Sequence, residues 1–388
     1  MGRPRKLVVE KLFSDKNISL REGHWMEESD IKHPIINSNT DVYYRDENNN
    51  LVLLLKFRKN CIDDTYIKVG WDSYKNLAKA SRGRGASAGQ IDPDSDYWKK
   101  RNLIKTKKWS TGYLTPQGNL LKEEYEKLSY EELLQKAIQL EIKEKNITKE
   151  RDELLLEIIK AENGFSKMKV NNQVASNPIG FYEQNKNLGT DLPCRLTHFT
   201  RTNFDKYNKG LPFLQKIDSL FEKLIPESHQ KQLARADKKP HLKIPGTSFS
   251  TVTINRNFRT ALHRDAGDFK DGFGNLTVME QGKYHGGYTV FPQFGVGINL
   301  RNNDFCAMDV HQWHANTPIH ETEEDKEFNE TIESDFKDNP LVGTAGLYQK
   351  YTRISFVCYL REKIANCPAV EEIDPRFLTK SGHSKIKD

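Results

Sequence analysis

A single histidine of this chain has an acidic residue two positions later. The pair is His263 and Asp265, in the stretch TALHRDAGD at 260–268. Eleven histidines in a chain of 388 residues with 54 acidic residues give about 1.5 such pairs by composition alone, so the pair needs support from its context. On a β-strand, residues i and i+2 point to the same face, and an imidazole and a carboxylate placed in this way can bind one metal ion.

A second stretch with histidines lies about fifty residues further along the chain. DVHQWHANTP at 309–318 contains His311 and His314, and each could supply a third ligand from the end of a later strand. Two histidines and one carboxylate on one face of an ion leave three coordination positions open, as a non-haem Fe(II) oxygenase needs for its co-substrate and oxygen. The spacing favours an iron site and leaves the choice between the two histidines open.

A candidate anion-binding group follows at the start of the apolar run RISFVCYL. Arg353 begins this predicted strand, and Ser355 lies two residues later on the same face. A guanidinium can bind a carboxylate through two parallel hydrogen bonds, which a lysine does less well. We therefore expect Arg353 to hold a carboxylate.

Short strands would position these residues. After residue 245, β-type runs separated by Gly, Asn and Asp turns follow one another: TSFSTVTINRNF, NLTVMEQG, GGYTVFPQF, VGINL, DFCAMDV and RISFVCYL. Many short strands without intervening helices predict a sandwich or barrel, including the double-sheet jelly roll. Before them, apolar residues at helical spacing within 213–228 predict a helix that ends at Pro226.

The first half of the chain has a different character. The run at 41–58 predicts a β-hairpin around an Asn-rich turn. Residues 121–162 lack Gly and Pro, and an apolar residue recurs every seventh position, which predicts a long helical arm whose half-charged second stripe permits only weak self-association. The run at 321–338 holds nine acidic residues and two lysines, which is typical of a mobile exposed loop.

Composition limits the function classes. Apolar residues make up 36% and charged residues 29% of the chain, and the net charge of +6 permits an acidic partner without requiring one. Five widely spaced cysteines without C-x-x-C predict reduced thiols, and argue against a disulfide framework or a structural zinc site. The chain shows no secretory signal and no apolar run long enough to span a membrane. We expect an intracellular protein of the nucleus or cytoplasm, in a host cell if the chain is viral, with no membrane association.

The sequence around these residues resembles that of a known family. His263-x-Asp265, His314 and Arg353-x-Ser355 are similar to the signature of Fe(II)/2-oxoglutarate dioxygenases. NRNFRTALHRDAGD, GKYHGGYTVFPQFGVGINL and DVHQWHANTPI resemble the TET/J-binding-protein branch, in its viral and protist form, which oxidises the methyl group of thymine or 5-methylcytosine in nucleic acid. The resemblance is strong over about 245–320 and 350–361 and extends back to about 176.

The resemblance implies a fold and a set of roles. It implies a mainly β core, a double-stranded β-helix of the jelly-roll or cupin type with supporting helices, beside an α+β N-terminal region. It implies that His263, Asp265 and His314 bind Fe(II), and that His311 instead orients a ligand or lines the substrate pocket. Arg353 and Ser355 would bind 2-oxoglutarate, which is decarboxylated to succinate, with O2 as co-substrate and ascorbate as reductant.

Two groups of residues have more open roles. Arg259 is a candidate for the near carboxylate of 2-oxoglutarate, and a surface salt bridge is its alternative. The expected substrate-pocket residues are Tyr284, His285, Tyr288, His311 and Asn316. For Tyr284, His285 and Tyr288, which flank a Gly-Gly turn, the alternative is that they are ordinary strand and turn residues.

DNA is the expected partner. GRPRK at 2–6 resembles half an AT-hook, a minor-groove element, and WKKRNLIKTKKWSTGY at 98–113 interleaves cations with aromatic rings, which suits backbone tracking and base stacking. A solvated loop whose tryptophans cover a small core is the alternative for 98–113. The expected contacts are Arg3, Arg5, Lys99, Lys100, Arg101, Lys107, Lys108 and Trp109.

These observations predict four regions: a basic tail at 1–20, a basic and aromatic region at 21–120, a long charged helix at 121–168, and a dioxygenase domain at 169–388 with an acidic insert at 321–343. Two other functions use the same sequence features. One is a prolyl- or lysyl-type protein hydroxylase with the same iron site, and the other is a non-catalytic DNA-binding protein that keeps the jelly roll as a scaffold.

Overall fold

The computed structural model describes residues 3–81, 84–89, 104–105, 113–114, 116–142, 150–162, 165–166, 174–185, 192–333, 335, 350–374 and 377. Its strands are β1 (Arg5–Val9), β2 (Thr40–Arg45), β3 (Leu51–Arg58), β4 (Ala80–Ser81), β5 (Ile104–Lys105), β6 (Tyr113–Leu114), β7 (Phe165–Ser166), β8 (Val174–Tyr182), β9 (Arg195–Leu196), β10 (Thr251–Arg256), β11 (Gly274–Gln281), β12 (His285–Gly286), β13 (Thr289–Phe291), β14 (Val296–Ile298), β15 (Phe305–Met308), β16 (Ala315–Asn316), β17 (Ile319–His320) and β18 (Thr352–Tyr359).

The α-helices of the same residues are α1 (Asp15–Ser19), α2 (Asp64–Tyr74), α3 (Pro116–Tyr125), α4 (Tyr130–Gln139), α5 (Arg151–Ala161), α6 (His198–Thr202), α7 (Phe204–Lys209), α8 (Leu211–Leu224), α9 (Pro226–Ala236) and α10 (Glu323–Thr331). Within the described ranges, no helix is both long and apolar enough to cross a membrane.

The largest sheet runs in the order β1-β2-β3-β15-β11-β18-β10-β8-β4, with β9 paired to β8. Its centre is antiparallel: β18 pairs with β11 on one side and with β10 on the other. The predicted hairpin at 41–58 is confirmed as β2 and β3, and β3 pairs with β15. The N-terminal strands are therefore an extension of the same sheet.

A smaller sheet, β14-β13-β16, and the strand pair β12-β17 complete the barrel. Apolar side chains of the two sheets form a common core, in which Phe291 and Val296 of the small sheet belong with Val278 and Met308 of the large one. Two facing sheets of short antiparallel strands with helices outside are a jelly-roll arrangement of the cupin-like type. The predicted fold class is confirmed.

Helices α2 and α8 cover the outer face of the large sheet. Phe213 and Ile217 of α8 belong to one buried cluster with Met279 of β11 and Phe356 of β18. A Cβ atom at Gly70 of α2 would lie 2.8 Å from the Phe213 ring of α8 and 2.3 Å from the Met279 methyl carbon, so a side chain there would force its neighbours to shift. The outer helices thereby fix the strands whose inner face lines the site.

Two predictions about helices need correction. The helix predicted to stop at Pro226 does end at Leu224, but Pro226 also begins the next helix, where a proline without an N–H is readily tolerated. The single long arm over 121–162 is wrong. Three short helices, α3 to α5, bury their apolar residues against one another, among them Leu133 and Leu154 of the predicted stripe. The chain leaves the helical conformation at Glu141, which has φ 55°.

The acidic insert is also partly ordered, whereas we predicted a mobile loop. Residues 323–331 form α10, which begins with a capping box of Thr322 and Asp325. The buried Asn329 anchors the helix, since its amide donates to the backbone oxygen of Lys283 and accepts from the backbone N–H of Lys283. Residues 334 and 336–343 of the insert lie outside the described residues.

Two predictions about the chain termini and cysteines are wrong as well. Residues 5–19 are not a tail, because Arg5–Val9 is a strand parallel to β2 and α1 follows it. The five cysteines are not all reduced, because Cys194 and Cys367 form a disulfide between buried positions 173 residues apart. Sequence spacing carries no signal for a pair that only the fold brings together.

Candidate functional site

Three of the predicted metal ligands lie together. The ligand atoms of His263, Asp265 and His314 are all within 4.8 Å of one another. The Nε2 atoms of His263 and His314 lie 3.9 Å and 3.8 Å from the two carboxylate oxygens of Asp265. Two histidines and one carboxylate in this arrangement are the facial triad that binds non-haem Fe(II).

Backbone hydrogen bonds hold the triad in place. His263 and His314 exchange two of them, from each N–H to the other residue's carbonyl oxygen, at 3.0 and 2.9 Å. The N–H of Asp265 donates to the carbonyl of Val310 at 3.0 Å. We predicted that His263 and Asp265 lie on a regular strand; instead they lie in a loop that touches the 310–314 segment through an isolated bridge. Pairing between two loop segments, and not strand alternation, brings the ligands together.

The two imidazoles present the same nitrogen to the centre. His263 Nδ1 bonds the carbonyl of Ala261 at 2.8 Å, and His314 Nδ1 bonds the carbonyl of Gln312 at 2.9 Å. A carbonyl accepts a proton, so each Nδ1 carries the hydrogen and each Nε2 keeps its lone pair for a metal. Burial lowers the pKa of His314 to about 4, and the neighbouring His263 adds to the shift, so His314 is neutral at neutral pH.

His311 stands outside this cluster. Its Nε2 lies 3.3 Å from the carbonyl of Phe269, and its backbone N–H donates to Asp309. The structure therefore brings His314, and not His311, into the cluster with His263 and Asp265. The sequence alone had left the choice between these two histidines open.

A cavity of about 270 Å³ opens beside the triad. One wall is the inner face of β18, where every second residue lines the cavity, from Arg353 and Ser355 through Val357 to Tyr359. The residues between them, Ile354, Phe356 and Cys358, pack into the outer core. The alternation of a strand thus separates a ligand-binding face from a structural face.

Arg353 fits the role of a carboxylate ligand. It is 3% exposed, yet its guanidinium makes no hydrogen bond or ion pair with any described residue, and Nε is buried without a partner. A buried cation without a counter-charge is costly, so the site calls for an anion from outside the protein. Ser355 lies beside it, and its hydroxyl accepts a hydrogen bond from the Asn255 amide at 3.3 Å. This donor set matches a dicarboxylate such as 2-oxoglutarate bound next to Fe(II).

Arg259 does not share this property. Its guanidinium donates to the carbonyl of Met26 at 2.6 Å and to the carboxylate of Glu27 at 2.7 Å, and it lies over the ring of Trp25. It does not line the cavity. The near-carboxylate role is therefore wrong for Arg259, which forms the salt bridge that was its alternative.

Of the five predicted substrate-pocket residues, only Asn316 lines the cavity. Its amide oxygen accepts a hydrogen bond from the Thr260 hydroxyl at 2.7 Å. Tyr284 is buried, with its hydroxyl on Glu280 and its ring under Arg301. His285 is half exposed and pairs with Asp325 of α10 at 3.1 Å. Tyr288 and His311 also lie outside the lining. Tyr284, His285 and Tyr288, which flank the Gly286–Gly287 turn, therefore do not form the pocket wall.

Of the predicted DNA contacts, Arg3 and Arg5 are exposed, and Arg5 lies on the edge strand β1. Lys99, Lys100, Arg101, Lys107, Lys108 and Trp109 lie outside the described residues.

Sequence reasoning missed several residues of the cavity wall. Arg84, Arg264, Asp268 and Arg361 all line it. Arg361 binds Glu183 through two contacts of 2.9 and 3.0 Å, and burial raises the pKa of Asp268 well above its usual value. Tyr359 could have been found by extending the i, i+2 pattern from Arg353, whereas Arg84 carries no local sequence signal.

Fold and site together define a class of protein. A double-sheet barrel that holds a facial triad and a buried arginine without a partner among the described residues fits the class of oxygenases that use Fe(II) and 2-oxoglutarate. Residues 178–362 match the Tet_JBP family model, described as the oxygenase domain of the 2OGFeDO superfamily. The match covers 185 of the 388 residues, and this part of the chain is similar to TET/JBP-type oxygenase domains.

Individual relatives agree with the family match. The chain is 30% identical over 199 residues to "Thymine dioxygenase JBP1" of Trypanosoma brucei brucei, a match that covers 51% of this chain and 21% of that protein. It is 35% identical over 141 residues to "Bifunctional helicase and thymine dioxygenase JBP2" of Leishmania major, which covers 36% of this chain and 12% of that protein. The chain thus spans a small part of these curated relatives.

A solved structure, NgTET1 in complex with 5mC DNA, aligns over 94% of this chain and 97% of its own, with a TM-score of 0.41 and 9% identity.

Proposed function

We propose that this protein is an Fe(II)- and 2-oxoglutarate-dependent dioxygenase that hydroxylates the methyl group of a pyrimidine base, thymine or 5-methylcytosine, in DNA. One observation carries the proposal: a single cavity holds the His263/Asp265/His314 cluster and the buried, unpaired guanidinium of Arg353. The relatives named thymine dioxygenases support the choice of a methylated pyrimidine.

Each residue of the site has a defined task. His263, Asp265 and His314 hold the metal, and the backbone carbonyls of Ala261 and Gln312 orient the two imidazoles. Arg353 binds the far carboxylate of 2-oxoglutarate, with Ser355 beside it. When bound, Fe(II) and 2-oxoglutarate supply the oxidising power that puts one oxygen atom of O2 on the substrate methyl group and the other into succinate, with loss of CO2. Ascorbate would keep the metal reduced.

The substrate must leave its duplex to reach this cavity. A base inside the stack cannot reach the triad in this cavity, so the protein has to receive a flipped base and bind it by its edges. Asn316 and Asp268, which lie close to the triad in the same two loop segments, place polar groups along the cavity wall. Hydrogen bonds to the base edge are the contacts that such groups would make.

Mass spectrometry of nucleosides tests the proposal. The protein is incubated with Fe(II), 2-oxoglutarate, ascorbate and DNA that contains both thymine and 5-methylcytosine, with His263→Ala as the control. We expect a hydroxylated nucleoside that is absent with the variant, and its identity names the base. Succinate formation without any new nucleoside would overturn the DNA substrate and point to a protein hydroxylase. Failure to bind Fe(II) would overturn the enzyme itself and favour a non-catalytic DNA-binding protein.

A DNA substrate also implies where in the cell the protein acts. We propose that the protein acts inside a cell, in the nucleus or cytoplasm where DNA is accessible, and in the host cell if the chain is viral. Microscopy of a tagged chain checks this. Self-association through 121–162 stays a prediction that sedimentation analysis of the full chain tests.

A further inference from the structure

Four arginines line the cavity: Arg84, Arg264, Arg353 and Arg361. Two of them are accounted for. Arg361 is neutralised by Glu183 through two close contacts, and Arg353 is buried in the position that suits 2-oxoglutarate. Arg84 and Arg264 have no carboxylate partner among the described residues. Arg84 and Arg264 are therefore the two arginines of the cavity wall that neither form an ion pair with a described carboxylate nor occupy the co-substrate position.

Arg264 lies between two metal ligands in the sequence but is exposed. Its guanidinium lies over the Trp313 ring, 5.0 Å from the ring centre. The nearby carboxylate of Asp15 is already bound by Lys11 at 3.0 Å and by Gln293 at 2.6 Å. A guanidinium that stacks on an aromatic ring keeps its N–H groups available for an anion while its position is restrained.

Backbone hydrogen bonds connect the segment of Arg84 to the loop that carries His263. It directly precedes the 3-10 helix Gly85–Ala88, and its carbonyl accepts from the Ser87 hydroxyl at 2.7 Å. The carbonyl of Ser87 in turn accepts from the N–H of Ala261 at 2.9 Å, two residues before His263. The backbone of Arg84 is thus tied to the loop that carries the triad, and the two arginines enter the cavity wall from different segments.

We propose that Arg84 and Arg264 bind the phosphodiester groups on the two sides of the nucleotide whose base enters the cavity. A polynucleotide offers one anion on each side of every base, and a guanidinium suits a phosphate through two parallel hydrogen bonds. A peptide offers no such regular pair of anions. This inference rests on the proposed function and deepens it, because it makes the charge pattern of the cavity selective for a nucleic acid strand over a peptide or a free nucleoside.

The salt dependence of DNA binding measures such contacts directly. Each phosphate neutralised by the protein releases counterions, so removal of one contact lowers the slope of log affinity against log salt by about 0.9. Removal of an arginine that only shapes the fold changes affinity without this change of slope.

The experiment uses the Fe(II)- and 2-oxoglutarate-loaded full chain without oxygen. Binding of a short fluorescent duplex with one central methylated pyrimidine is titrated between about 50 and 200 mM salt. The variants are Arg84→Gln, Arg264→Gln and their combination, with Arg264→Lys as the variant that keeps the charge. Lys68→Gln is the matched control, because it removes one exposed charge of α2 that is paired with Asp72 and does not line the cavity. Fe(II) affinity of every variant reports whether the neighbouring triad is intact.

We expect Arg84→Gln and Arg264→Gln each to weaken binding about tenfold and to lower the slope by about 1, and the double variant to lower it by about 2. Arg264→Lys and Lys68→Gln should keep the wild-type slope. Wild-type slopes in both glutamine variants with normal Fe(II) affinity would overturn the inference.

Base oxidation, measured on the same proteins with oxygen, separates the two proposals. Oxidised bases with unchanged slopes would leave the reaction standing and overturn the phosphate contacts. Lowered slopes with no oxidised base would support the contacts and overturn the reaction.

Discussion

The cavity has two walls that are built by different means. The sheet wall is the inner face of β10 and β18, where Arg353 and Ser355 follow the alternation of a regular strand. The loop wall carries His263, Asp265 and His314, which two loop segments hold together through backbone hydrogen bonds. One wall depends on side-chain periodicity, and the other depends on the pairing of backbone groups.

The difference separates two tasks. The sheet wall is backed by the apolar outer core and presents a cation that has no partner among the described residues, so its task is to bind an anion. The loop wall aims two nitrogen lone pairs and a carboxylate at one point, so its task is to bind a metal. We therefore expect substitutions on each wall to affect different ligands.

The largest effect should come from the loop wall. His314→Ala removes one of three ligands, and we expect Fe(II) affinity to fall by more than about 100-fold, since even the loss of an outer partner of a ligand costs about 10- to 100-fold. Anaerobic titration with Fe(II) measures it. His311→Ala is the control and should bind Fe(II) normally, because His311 contacts Phe269 outside the cluster. Loss of metal in His311→Ala alone would reverse the assignment.

The next effect should come from the sheet wall and leave the metal unchanged. Arg353→Gln removes the charged group that faces the carboxylate, and we expect the KM for 2-oxoglutarate to rise about 10- to 100-fold. Succinate formation at varied 2-oxoglutarate measures the KM, and Arg353→Lys should lie between the two proteins. An unchanged KM with normal Fe(II) binding would contradict the role of this wall.

A smaller effect is expected from the neighbour of Arg353. Ser355→Ala removes one neutral hydroxyl that is bonded to Asn255, which is worth about 1 kcal/mol, so the same KM should rise about fivefold. The succinate assay checks it. An increase as large as that of Arg353→Gln would show that the hydroxyl, and not the guanidinium, is the main contact.

The smallest effect is expected from Arg259, which the sequence suggested, like Arg353, as a ligand for a carboxylate of 2-oxoglutarate. Arg259→Gln breaks a half-exposed ion pair with Glu27, so the KM for 2-oxoglutarate should stay within about twofold and the free energy of unfolding should fall by at most about 1 kcal/mol. Steady-state kinetics and denaturant titration measure the two quantities. A raised KM would return Arg259 to the co-substrate site.

The sheet wall could be predicted from the sequence and the loop wall only in part. RISFVCYL shows its strand by composition, and the residues Arg353 and Ser355 share a face by simple alternation. His263 and Asp265 were predicted to share a face for the same reason, but the structure brings them together through contacts with residues 310–314. Such contacts join positions about fifty residues apart, and no local pattern encodes them.

The region 121–162 shows the limit of periodicity in another way. Leu133 and Leu154 satisfy a heptad stripe equally well in one long helix or in short helices that fold back on each other. The break after α4 falls at Leu140–Glu141 without a Gly or Pro to mark it, because burial of the stripe within the chain outweighs local helix propensity. The disulfide between Cys194 and Cys367 escaped prediction for the related reason that only the folded chain brings the two segments together.

The central position of β18 also has a consequence for biosynthesis. Phe356 pairs with Thr277 and with Ile254, which precede it by 79 and 102 residues. Strands β10 and β11 therefore emerge from the ribosome long before the strand that must lie between them, and until then each exposes an unpaired edge. Because closing so long a loop is slow, the nascent chain depends on a delayed insertion step, during which chaperones have the opportunity to shield these edges.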